Sequence, residues 1–99
     1  PALSSAFHFA AVEAICEAVS RSAVGGNQMY FKPADANLVP MIVTKLMGIP
    51  EEHERYASTL AILNQHYEDL RSEGLNRTNR ARGVFTLACM SGDVMGVGL

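Results

Sequence analysis

The sequence predicts a small, mainly α-helical domain of four helices, with room for one short edge strand at 28–31. Three observations point there. The chain has 99 residues, which is enough for one core and no second one, so 1–99 reads as a single helical domain. Its glycines divide it into stretches whose apolar residues recur at helical spacing. The clearest strand candidate is only four residues long, and a two-stranded sheet that thin is barely stable in water.

The first helix is expected at 5–24. At about 100° per residue, Phe9, Val12, Ile15, Cys16, Val19 and Ala23 fall on one side, with Glu13, Glu17 and Arg21 on the other. Ser4 or Ser5 supplies an oxygen for the first free amides, and Gly25-Gly26 ends the helix at positive φ with little strain. The stretch Gln28-Met29-Tyr30-Phe31 then reads as extended, because Pro33 crowds the backbone of Lys32 out of the helical region. A second helix is expected at 37–47, capped by Asp35 or Asn37. Pro40 sits in its first turn, Leu38, Met41, Ile42, Lys45 and Leu46 mark one stripe, and Gly48 stops it.

Pro50 opens a third helix over 50–73, with Glu51, Glu52 and Glu54 at its positive amino end and Gly74 closing it. Its stripe is the clearest pattern in the chain. Tyr56, Leu60, Leu63, Tyr67 and Leu70 fit within an arc of about 80°, at alternating spacings of four and three, the rhythm of a helix–helix seam. The stripe has two readings, ordinary core or a dimer- or partner-forming surface, and tyrosine, enriched where proteins meet, fits the second. The apolar run at 84–90 suits a buried strand or a buried helix. Helix over 78–91 is preferred because the only other strand candidate is so short. Residues 92–99 read as a loose or partner-contacting tail.

Composition narrows the function. Of the residues, 48% are apolar and only 18% charged, a greasy balance for a domain with so much surface, and this favours self-association or partner binding. The net charge of −2 lacks the basic surplus on which phosphate binding draws. No stretch is long and apolar enough to read as a membrane span, and the amino end lacks the cationic region of a signal peptide. The two cysteines, Cys16 and Cys89, read as buried thiols in a reducing cytoplasm. The expected location is therefore cytoplasmic.

Side chains that carry chemistry are sparse. His53 and His66 lie about 220° apart on the expected third helix and cannot share a metal there. His66 and Asp69 share a face but offer too few ligands for a closed site. Neither cysteine sits at a helix amino end with a base beside it, and no phosphate-cradling glycine pattern is present. No catalytic residue, cofactor or metal site is expected, and the chain does not read as an enzyme.

The segment Asn76-Arg77-Thr78-Asn79-Arg80-Ala81-Arg82-Gly83 concentrates three arginines. A helix-turn-helix reading of 47–50 meets Glu51, Glu52 and Glu54 where phosphate would have to approach. Residues 51–73 hold six acids against two arginines, a balance of −4, so Arg77, Arg80 and Arg82 are expected to face acids as a charged rim, or to decorate a solvated turn. The expected function is a non-catalytic protein–protein interaction module, a homodimeric regulator or inhibitor that masks a surface of another protein. In this build the chain resembles the small helical antiactivators of LuxR-type quorum-sensing regulators. The likeness is one of architecture and carries no residue across; it implies a transcription regulator as the kind of partner. The alternative is a nucleic-acid-associated protein using 77–82.

Overall fold

The computed structural model describes residues 2–27 and 30–91, with side chains from His8 onward. Among these residues the chain forms four helical segments. They are α1 (Ala2–Ala23), α2 (Leu38–Met41, running on as a wide π-helical turn Ile42–Leu46), α3 (Tyr56–Ser72) and α4 (Arg77–Cys89). None of the described helices is long and apolar enough to cross a membrane.

The last helix is the hub. α4 packs against α1, α3 and the π-turn, and Ala81, Val84, Phe85, Ala88 and Cys89 are buried along it. A helix covered by several neighbours shows no single apolar stripe, which is why the run at 84–90 had no readable period. Asn76 caps it, its side-chain oxygen accepting from the Asn79 amide at 2.8 Å. Gly83 admits α3 at close range, since a Cβ there would collide with Cδ1 of Leu70. The deepest side chains are Phe85, Ile42, Val24, Val43, Val84 and Cys16, with Phe31 standing edge-on to Phe85 at 5.7 Å between ring centroids.

Several boundaries differ from expectation. α1 begins at Ala2, so Ser4 and Ser5 lie inside the helix instead of capping it. The second helix is shorter and wider than a regular one. The Thr44 hydroxyl donates to the carbonyls of Pro40 and Met41, the two acceptors an α-helix would offer to the amides of Thr44 and Lys45. The Met47 amide reaches back to Ile42 instead, at 3.0 Å. The third helix starts at Tyr56, not at Pro50. Residues 50–56 form i→i+3 turns, and the Nδ1 of His53 accepts the Arg55 amide at 3.0 Å, so Glu51, Glu52 and Glu54 precede the helix.

Among the described residues no strand forms. The expected edge at 28–31 comes down to one bridge between Val24 and Phe31, made by Phe31 N–H to Ala23 O (3.0 Å) and Gly25 N–H to Phe31 O (3.2 Å). Gln28, Met29 and the expected tail at 92–99 lie outside the described residues. Gly25 allows this bridge by taking φ of +68° just past α1, where the chain must reverse and pass Pro33 closely.

The cysteines are the main correction. Both are buried, as expected, but they are joined. A disulfide ties Cys16 in the middle of α1 to Cys89 at the end of α4, with their Cα atoms 5.8 Å apart across 73 residues of sequence. No sequence spacing announces this pairing; it exists because α1 and α4 pack side by side.

Candidate docking surface

The predicted stripe of α3 turns inward. Leu63 is buried, and Tyr56, Leu60, Tyr67 and Leu70 are half-buried, with Tyr56, Leu60 and Tyr67 packed on the core. Leu70 rests on the bare backbone of Gly83. Of the two readings of the stripe, these positions match an intramolecular seam between α3 and its neighbours. Ile62, outside the arc, faces outward and is 62% exposed.

The arginines divide. Arg82 reaches from α4 to the end of α1, where its Nε donates to the Val24 carbonyl at 3.0 Å and Nη2 to the Arg21 carbonyl at 3.4 Å. A cation placed on carbonyls that the last helical turn leaves unpaired serves as a cap. Arg80 braces the α3–α4 turn through Nη1 to the Leu75 carbonyl at 2.6 Å, and its guanidinium stands 5.2 Å from the centre of the Tyr67 ring. Both take backbone carbonyls or a ring in place of the acids expected. Arg77 alone stays fully on the surface, on the rim of a groove of about 340 Å³ that Asp35 and Glu68 also line. Arg82→Ala is therefore expected to cost about 1–2 kcal/mol, with Arg82→Lys recovering only part, because lysine lacks the fork that spans two carbonyls. Arg77→Ala should stay within about 0.5 kcal/mol. Urea melts of the three variants check this, and equal losses at both positions would contradict the assignment.

Apolar surface that the chain leaves uncovered lies elsewhere. Phe9 (61% exposed) on α1, Ile62 on α3 and Leu87 on α4 stand around two neighbouring grooves. One, of about 610 Å³, runs between α1 and α4, with Glu13 and Glu17 on one wall and Arg21 and Arg82 also lining it. The other, of about 350 Å³, lies between α3 and α4 over Leu63 and Met47. Phe9, Leu87 and Met90 line both and make them one continuous surface. Sequence periodicity missed it because Phe9 points in the same direction as buried Cys16, about 20° away around α1. The pattern states direction, and only the packing states where cover ends.

Among the described residues no three histidine, cysteine, aspartate or glutamate side chains gather as metal ligands. No protein-family model, curated protein or solved structure matches the chain.

Proposed function

We propose that the chain is a non-catalytic protein-binding module, a homodimeric regulator or inhibitor that masks a surface of its partner in the manner of an antiactivator. A transcription regulator is the partner class that the antiactivator likeness suggests, and it requires the chain to work in the cytoplasm, a location that the Cys16–Cys89 disulfide weighs against. One observation carries the reading: exposed Phe9 and Leu87, with Met90 between the two grooves, form a concave apolar surface with a polar rim. A surface of that kind suits the apolar face of a helix or an extended segment from another protein. It replaces the α3 stripe as the place where the partner would sit.

The nucleic-acid alternative has lost ground, since Arg80 and Arg82 already hold carbonyls and a ring, leaving Arg77 as the free member of the group. The compartment is also affected. A protein disulfide persists where thiols oxidise and is uncommon in a reducing cytoplasm, so the Cys16–Cys89 bond favours an oxidising location over the cytoplasmic one expected from sequence.

The test is affinity capture of the intact chain from an extract of its source cells, with nuclease present. A dominant protein partner should survive nuclease and raised salt, survive Arg77→Ala, and be lost from a Phe9→Glu/Leu87→Glu variant that retains its helical circular dichroism. Capture that disappears with nuclease, or that ignores the groove substitutions, refutes the proposal.

A further inference from the structure

The groove between α1 and α4 has a direction. Arg82 meets the carbonyls of Arg21 and Val24 while Cys89 meets Cys16, so the two helices run antiparallel. Phe9, Glu13, Glu17 and Arg21 stand a turn apart along the α1 wall, about 18 Å from first to last. Over that length the surface changes character. It is apolar where Phe9 meets Leu87 and Met90, acidic at Glu13 and Glu17, and basic at the far end, where Arg21 meets Arg82. The apolar end runs on into the neighbouring groove over Met47 and Leu63.

The acids in the middle are available. Glu13 and Glu17 are exposed, and neither forms an ion pair among the described residues, although Arg21 stands one turn from Glu17. Arg82, in contrast, has its fork on two carbonyls. At about 40° and 80° around α1 from Phe9, the two carboxylates form a rim beside the apolar floor. Two helices packed side by side leave a trough that a third helix fills, ridges into grooves, and about three turns match its length. Cations on that helix, one and two turns from its apolar anchor, would meet the acids; acidic side chains and phosphate would be repelled. A second copy of this chain cannot supply them. α4 is the only described helix with more than one cation, and it is the buried hub of the fold.

We propose that the occupant of the α1–α4 groove is a basic amphipathic helix of another protein. Its apolar residues sit on Phe9, Leu87 and Met90, and two lysines or arginines further along face Glu13 and Glu17. This rests on the proposed docking function and names the chemistry of the partner segment. The apolar contacts hold the helix, and the exposed charge pairs select it and set its register.

Two synthetic helical peptides of about four turns test it. They share the same apolar residues at spacings of three and four, and carry either lysines or glutamates one and two turns beyond. By fluorescence anisotropy the intact chain should bind the lysine peptide at least about tenfold more tightly than the glutamate peptide. Glu13→Lys/Glu17→Lys should reverse that preference. Glu51→Lys/Glu52→Lys makes the same change in net charge away from the groove and should leave the preference in place. Phe9→Glu/Leu87→Glu should lose both peptides. Circular dichroism of each variant should match the wild type, because the altered side chains are exposed. Equal binding of the two peptides, or a preference that survives Glu13→Lys/Glu17→Lys, overturns the proposal. If that equal binding is still lost in Phe9→Glu/Leu87→Glu, the groove remains the docking site and only the basic character of its occupant falls. Binding of neither peptide overturns the helical occupant itself, while partner capture through Phe9 and Leu87 stands or fails separately.

Discussion

Reduction of the Cys16–Cys89 disulfide is expected to lower the stability of the folded chain by about 4 kcal/mol, from the loop-closure entropy that a cross-link over 73 residues removes from the unfolded ensemble. Small domains have only about 5–15 kcal/mol in total, so the loss is a large part of the whole. It should appear as a fall in melting temperature of about 15–30 °C for a domain of this size. Neither sulfur is open to solvent to any extent, Cys16 being 0% and Cys89 5% exposed, so reductant should act slowly on the folded protein and faster in mild denaturant. Thermal and urea melts with and without reductant measure the effect, with Cys16→Ala/Cys89→Ala as the form that cannot reoxidise. A loss under about 1 kcal/mol would mean that α1 is held to α4 by its side-chain contacts and the Arg82 cap without help from the bond. The same measurement bears on location, because a module that folds only when oxidised cannot work in a reducing compartment.

Phe85→Ala is expected to cost about 3–5 kcal/mol, the usual range for emptying a fully packed aromatic site. Phe85 is 2% exposed at the centre of α4, and Phe31 stands edge-on against it. Because Phe31 is also the residue that bridges back to Val24, the vacancy should loosen the connection between α1 and α2 before it unfolds the helices. Hydrogen exchange offers a local readout. The amides of Gly25 and Phe31, bonded across that bridge, should exchange sooner in Phe85→Ala, with those of α3 less affected. Phe85→Leu should retain most of the stability, since it keeps apolar volume in the site. Uniform acceleration across the chain, with no local excess at the bridge, would show that Phe31 is held by something other than Phe85.

Both predictions rest on contacts between distant parts of the chain, and these were the least legible features. Helix positions were readable because their causes are local. Gly25, Gly48 and Gly74 do take positive φ, at 68°, 70° and 91°, where the stops were expected. The Tyr56–Leu70 stripe was likewise a real seam, since α3 is covered mainly on one side. Where local competition entered, the reading slipped. The second helix widens into a π-turn where the Thr44 hydroxyl bonds back to the Pro40 and Met41 carbonyls, and the turns after Pro50 delay α3 by six residues.

The site was less legible than the fold. The pattern on α1 joined Phe9, Ile15 and Val19 to the buried set of Val12, Cys16 and Ala23, yet those three are the exposed ones. An apolar residue and its direction on a helix are properties of the chain; whether anything stands opposite depends on how far the neighbouring helix reaches. Arg80 and Arg82 carry the same lesson in charge, since nothing near them in sequence marked the Tyr67 ring or the carbonyl of Val24 as their partners.

By itself, then, the sequence determined that the chain is helical, where most helices stop, and which face of α3 is greasy, all consequences of residues within a few turns of one another. Tertiary packing alone decided the Cys16–Cys89 pairing, the inward turn of two arginines and the uncovered ring of Phe9. The physical reason is that pairing and burial belong to surfaces in contact, and Cys16 and Cys89, 73 positions apart in sequence, become neighbours only because α1 and α4 pack together.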